Sequence, residues 1–361
     1  MSTEHASPVV ASGRVDHPAA KAPPTPTDPG KARGLQRITS SDGFVLACAV
    51  DHLTEFSELL GPSPGFAATV GAKADLVRAV APVASAVLVD AMYGAGYVGL
   101  TGALPRDVGL MVSLEDGDYS LSSPKWTRFR VGWGPREARE AGVDAVKLLW
   151  WYRPDGDAAL AESQRRTLAA LAEDCTGLGL LLVVEPIWFP RPDEETSSPR
   201  WRGARAEGIV ESAAIAESLG ADVLKVEFPA DLDGSDGEAM AADALSRLDA
   251  TVSRPWVLLS AGVPFDTFER QLELACAAGA SGYIAGRSLW REAVSAPEGE
   301  RGEAVARMVD RLTSLNRLTR RHGRPATAAL SVESAIAALP EGWYEKGSAP
   351  SAQTDGRQDR P

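Results

Sequence analysis

The sequence predicts an α/β chain folded as a single (β/α)8 TIM barrel with disordered N- and C-terminal tails, and three observations predict it. Eight short runs rich in Val, Leu and Ile recur between longer amphipathic segments rich in Ala, Glu and Arg. The runs start 24 to 44 residues apart, the room that a strand–helix–strand unit needs. The chain has 361 residues, enough for a barrel that fills ~250 residues as one domain. A doubly wound open sheet is the second choice.

The elements follow in order. Residues 1–34 hold six prolines and little aliphatic content, so they are expected to form a disordered tail that cannot bury enough apolar surface to order itself. The apolar runs are residues 44–51, 84–90, 108–115, 145–152, 179–187, 223–229, 256–263 and 282–289. Several are continuous rather than alternating, as expected of parallel strands buried on both faces. Intervening stretches such as 158–172 and 208–219 suit helices. The barrel domain is expected over residues 35–325, and residues 326–361 are expected to form a short helix and then a disordered tail.

Composition excludes several classes. Apolar residues make up 44 % and charged residues 24 %, which rules out a largely disordered chain. A net charge of −12 argues against nucleic acid as a partner, because such binding neutralises phosphates with clustered Lys and Arg. A phosphorylated metabolite needs only one or two local cations and stays allowed. The longest apolar runs fall short of the ~20 residues that span a bilayer, and the first residues carry no basic-then-apolar leader, so no membrane partner and a cytoplasmic location are expected. Three scattered cysteines and four histidines, three of them outside the barrel strands, make a disulfide framework or a multi-His metal site improbable; no metal and no cofactor are expected.

Chemistry in such a barrel sits at the C-terminal strand ends. Asp51, Asp90, Glu115, Glu185, Glu227, Ser260 and Arg287 fall there. Two lysines join them, and they are the sharpest signal. Of 37 basic residues only seven are Lys, yet Lys147 and Lys225 lie inside strands expected to be buried, where a lone ammonium is costly. Lys, unlike Arg, can lose its proton and attack a carbonyl, and a second cation nearby favours that. The competing view makes both lysines structural ion pairs, with Glu185 and Glu227 as counter-ions.

Glu185, between the two lysine strands, suits a proton shuttle or a counter-ion to Lys147. Asp51 suits an orienting carboxylate or a helix cap. Asp90 and Tyr93 suit substrate contacts or an ordinary turn. Ser260 and Gly262 after strand 7, with Gly286 and Arg287 after strand 8, suit a phosphate site in which glycines admit backbone N–H groups and one guanidinium supplies charge. Plain turns are the alternative. His52 and Cys48 read more simply as packed residues, and one of Trp150 and Trp151 borders the pocket.

With these pieces in place, the chain resembles the class I tagatose 1,6-bisphosphate aldolase family, which also contains bacterial sulfofructose phosphate aldolases. The resemblance runs through Ala49-Val50-Asp51, Leu88-Val89-Asp90 with Tyr93-Gly94, Gly109-Leu110, and Val146-Lys147-Leu148-Leu149. It continues in Val184-Glu185-Pro186, Leu224-Lys225-Val226-Glu227-Phe228-Pro229, Leu259-Ser260-Ala261-Gly262-Val263 and Ala285-Gly286-Arg287-Ser288-Leu289-Trp290.

It implies that Lys225 is the Schiff-base lysine, Lys147 its companion, Glu185 the general acid/base and Asp51 the orienting carboxylate. Ser260, Gly262, Gly286 and Arg287 would hold the ketone-half phosphate. A ketose phosphate would be cleaved between C3 and C4 to dihydroxyacetone phosphate and an aldehyde, without a metal. A homo-oligomer and a small sugar-phosphate partner are implied as well. One departure stands out: the family commonly follows the first-strand Asp with Gln-Arg, whereas this chain has His52-Leu53. That puts the distal acidic group in doubt and keeps sulfofructose 1-phosphate as an alternative substrate. Two other readings are a Mg²⁺-dependent lyase or isomerase built on Asp90, Glu115 and Glu185, and a barrel that binds a sugar phosphate without turning it over.

Overall fold

The computed structural model describes residues 28–117, 125–234 and 236–344. Eight strands form a closed barrel in sequence order: β1 (Val45–Val50), β2 (Ala86–Val89), β3 (Gly109–Ser113), β4 (Ala145–Trp151), β5 (Leu181–Ile187), β6 (Val223–Val226), β7 (Trp256–Leu259) and β8 (Gly282–Ala285). Every neighbouring pair is parallel, and β1 closes on β8 through the register Val45 to Gly282. Each strand lies inside one of the eight expected runs, and the open sheet is excluded.

Alternation along the strands divides their side chains into two sets. Ala47, Ala49, Leu88, Ala145, Val183 and Val257 belong to a small cluster that fills the barrel interior. The intervening positions, such as Cys48, Val87, Val146 and Leu224, join the larger layer against the helices. Helix α6 (Ala158–Gly177) contains the expected stretch 158–172 and runs past it, and α7 (Pro199–Ser218) starts ahead of the expected stretch 208–219 and ends one residue short of it, with Leu219 as its C-cap. Their side-chain caps are Asp157, which accepts from Leu160 N–H, and Ser198, which accepts from Trp201 N–H.

The N-terminal boundary differs from expectation. Helix α1 (Pro29–Ile38) begins with Pro at its first position and Asp28 as its cap, so residues 28–34 are helical or capping rather than part of a disordered tail. The physical reason is burial: Leu35 and Ile38 enter the interior cluster, and Lys31 pairs with Asp222 at 2.9 Å. Glycine makes the approach possible. A Cβ at Gly30 would lie 2.4 Å from Gly179 O, and one at Gly34 would lie 2.7 Å from Asp144 O. All these partners precede their strands, so α1 closes the N-terminal end of the barrel. The remainder of the expected tail, residues 1–27, lies outside the described residues.

By contact the chain divides into Met1–Thr327 and Ala328–Pro361. Among its described residues the second unit holds the short helix α12 (Val332–Ala338), and the stretch from 345 onward lies outside the described residues.

Candidate active site

Lys147 and Lys225 share the inward strand parity of Ala145 and Val223, so both side chains enter the barrel from its wall. Glu185 lies opposite Leu149 in the β4–β5 register, two residues beyond Lys147 toward the C-terminal mouth. Asp51 follows the last residue of β1. All four are at least nine-tenths buried.

The structure brings them together. Lys147 Nζ lies 3.1 Å from Asp51 Oδ2, 2.5 Å from Glu115 Oε1 and 2.8 Å from Glu185 Oε2. Lys225 Nζ lies 3.0 Å from Glu185 Oε1. Glu115 belongs to the cluster too: it is buried, and its second oxygen accepts from Leu149 N–H at 3.2 Å. The sequence marked it as a strand-end carboxylate and a candidate Mg²⁺ ligand, not as a partner of Lys147, because nothing local says which way a residue just past a strand will turn.

The electrostatics follow from the pairing. Burial pushes the Asp51 carboxyl up, but Lys147 and Lys225 outweigh it and hold the group well below the usual carboxylate range. Glu185 is likewise lowered, since burial is outweighed by the same two lysines. His52 Nδ1 sits 3.5 Å from Asp51 Oδ1, and its ring meets Trp290 edge-on at 5.4 Å. Burial, helped by Arg287, Lys225 and Lys147, drives the imidazole down to about 4 against the pull of Asp51. His52 is therefore neutral near pH 7, and it is packed, as the simpler reading of the sequence had it.

Glu227 is placed otherwise than as a lysine counter-ion: it accepts from Trp188 N–H at 2.9 Å and pairs with Arg205 at 2.9 Å. Asp90 is engaged away from the lysine pair. One oxygen accepts from Tyr93 N–H at 2.7 Å, a turn contact, and the other lies 2.5 Å from Lys73 Nζ. Lys73, on α3 (Phe66–Val80), is fully buried and also donates to Val50 O and His52 O. This buried lysine ties the ends of β1 and β2 together. The sequence concealed it, because one Lys in an amphipathic helix reads as a surface charge. The Tyr93 ring packs on Phe66 at 5.3 Å.

The loops after β7 and β8 form one cradle. Gly286 N–H donates to Ser260 Oγ at 3.2 Å, and Ser288 Oγ donates to Val263 O at 2.5 Å. Ala261 and Gly262 take the left-handed backbone conformation, with φ of 47° and 75°. Gly286 caps α10 (Arg287–Ser295), whose first turn faces this loop. A Cβ on Gly262 would lie 3.1 Å from Arg287 Nε and 3.5 Å from Arg291 Nη2, so two guanidiniums flank the glycine. Arg287 Nη1 also contacts Glu55 Oε1 at 2.6 Å. Glu55 and Arg291 were not legible as site residues. Among the described residues no group of three or more His, Cys, Asp or Glu side chains is arranged to hold a metal ion, and the carboxylates that a Mg²⁺ reading invoked are paired with lysines.

Comparison with known proteins agrees with this architecture. The model of the DeoC/LacD family of aldolases matches residues 46–292. Tagatose 1,6-diphosphate aldolase 2 of Streptococcus mutans is 26 % identical over 322 residues, covering 82 % of this chain and 97 % of its own. The Lactococcus lactis tagatose 1,6-diphosphate aldolase is 27 % identical over 295 residues, covering 77 % and 89 %. Among solved structures, a Schiff base forming fructose-1,6-bisphosphate aldolase superposes with TM-score 0.55 at 19 % identity, over 79 % of this chain and 98 % of its own. Plasmodium falciparum fructose-bisphosphate aldolase gives 0.64 at 14 % identity, over 84 % and 98 %. The family match spans all but the first residue of the strand barrel, and the chain belongs to the DeoC/LacD family of aldolases, which are carbon–carbon lyases.

Proposed function

We propose that the protein cleaves a ketose phosphate resembling tagatose 1,6-bisphosphate through an imine on Lys225. The observation that carries the assignment is an asymmetry. Lys147 is held by three carboxylates, which stabilise its ammonium form, whereas Lys225 shares a single carboxylate with it through Glu185. Lys225 is the lysine suited to act as nucleophile, and Lys147 supplies fixed positive charge.

The steps balance without a metal. Lys225 passes a proton to the Glu185 carboxylate and adds as the free amine to the C2 ketone, Glu185 returns that proton to the departing hydroxyl, and water leaves to give the iminium. Glu185, again a carboxylate, takes the C4 hydroxyl proton as C4 becomes a carbonyl and the C3–C4 bond breaks; the electrons of that bond pass into the iminium as an enamine, and the aldehyde departs. Protonation at C3 and hydrolysis release dihydroxyacetone phosphate and restore the amine. Asp51 orients the amine and substrate hydroxyls beside Lys147. Ser260, Gly262, Gly286 and Arg287 take the phosphate of the ketone half. Asp90 and Tyr93 support the mouth from β2.

Borohydride trapping with dihydroxyacetone phosphate, followed by peptide mass spectrometry, tests this reading. A reduced adduct on Lys225 is expected, with cleavage unaffected by EDTA. An adduct on Lys147 alone would reverse the roles of the lysines. No adduct on either, with the ligand shown to bind, would overturn the imine mechanism.

A further inference from the structure

Two arginines of α10, Arg287 and Arg291, stand one helical turn apart on the rim of the cradle. Their electrostatic situations differ. Arg291 is exposed and forms no ion pair among the described residues, whereas Arg287 contacts Glu55 Oε1 at 2.6 Å. Glu55 lies in the first turn of α2 (Thr54–Leu60), where the helix dipole also favours an acid.

A half-exposed pair of this kind often contributes little, but this one has an anchored geometry. The next residue, Phe56, is fully buried and packs edge-on against Trp290 of α10 at 5.3 Å. Trp290 in turn donates its indole N–H to Ala49 O on β1 at 2.7 Å. Phe56 adjoins Glu55, and Trp290 lies three residues after Arg287 on the same helix, so this aromatic contact anchors both short segments and the carboxylate is held where it meets the guanidinium. A phosphate entering between Gly262 and the start of α10 would need the same guanidinium, since Arg287 Nε is the closest atom to the open side of Gly262.

We propose that Glu55 is an internal counter-ion of the anion cradle, which an incoming phosphate displaces from Arg287, with Arg291 supplying the first cation. The proposal rests on the reading that this cradle takes the substrate phosphate. Glu55 keeps Arg287 in place when the cradle is empty, and it weakens the grip on phosphate by the cost of breaking the pair. It therefore sets how readily a phosphorylated product leaves.

Titration of the full-length protein with inorganic phosphate separates the possibilities. Glu55→Gln is expected to tighten phosphate roughly three- to ten-fold and to lower KM for the ketose phosphate by a similar factor. Glu55→Asp should return toward the wild-type value. Arg291→Ala should weaken phosphate binding. In the Arg287→Ala background, which itself should weaken phosphate, Glu55→Gln should have no further effect, because the competition it relieves is gone. If Glu55→Gln and Glu55→Ala both bind phosphate as the wild type does while Arg287→Ala binds it weakly, the counter-ion role is refuted and the cradle stands. If Arg287→Ala binds phosphate as tightly as the wild type, the cradle reading fails and the proposal falls with it.

Discussion

Glu185 joins the two buried lysines with its two oxygens: Oε2 lies 2.8 Å from Lys147 Nζ and Oε1 lies 3.0 Å from Lys225 Nζ. A carboxylate so placed can pass a proton at one lysine while the other keeps its charge neutralised. Glu185→Gln retains the shape but loses both roles. In single-turnover assays its cleavage rate should fall by roughly 10²–10⁴-fold. Stability should fall by on the order of 3 kcal/mol, because two ammoniums keep their burial and lose a shared anion. A rate within a few-fold of wild type would rule out Glu185 as the proton carrier.

Glu115 makes the case for charge asymmetry testable. It braces Lys147 from just past the end of β3 while accepting the Leu149 N–H. Glu115→Gln removes one of three anions from Lys147, so borohydride trapping should begin to label Lys147 beside Lys225. Labelling that stays confined to Lys225 would show that geometry, not charge, selects the nucleophile.

Lys73 predicts a stability effect without a role in chemistry. Its ammonium is fully buried, 2.5 Å from Asp90, and holds two backbone carbonyls at the end of β1. Lys73→Met leaves Asp90 buried and charged with no cation, which should cost about 3–5 kcal/mol in urea unfolding. That is a large share of the roughly 5–15 kcal/mol that holds a typical domain together. The double variant Lys73→Met with Asp90→Asn should recover part of the loss, and equal stability of the two variants would contradict the pairing.

His52 sets a pH window. Its folded value of about 4 lies below the ordinary 6.5, so the unfolded chain takes up a proton there before the folded one does. Stability from this group is complete above pH 6.5 and is lost as pH falls toward 4, by on the order of 3 kcal/mol. Asp51 and Glu185, lowered carboxylates, act with the same sign at lower pH. Their contribution is present above their ordinary values of 3.8 and 4.5 and disappears only in stronger acid. Denaturant titrations of wild type and His52→Gln across pH 4–7 should differ in slope over that window, and parallel curves would contradict a buried neutral imidazole.

Much of this was legible in the sequence because burial on both faces leaves a parallel strand few residues to choose from. Against eight nearly all-apolar runs, Lys147, Lys225 and Glu185 stand out as charges with a reason to be there. The same logic fails on helices and loops, where charged residues are ordinary. Lys73 and Glu55 look like solvated helix residues until the fold carries one under β1 and the other against α10. Asp90 was visible at the end of its strand, but only its distance to Lys73 reveals what holds it. The start of α1 was obscured by proline-rich composition, which describes the average of a segment and not the few residues, Lys31, Leu35 and Ile38, that find partners in the barrel.

Those partners lie at the end of the barrel remote from Asp51 and the Gly262–Gly286 cradle. A purification handle, surface linker or fused protein attached just ahead of Pro29 would leave the molecule from its underside, facing away from entering substrate. Immobilised by that handle, the enzyme would present its working face outward. Trimming the chain past Ile38 to shorten such a fusion would instead uncork the barrel from below.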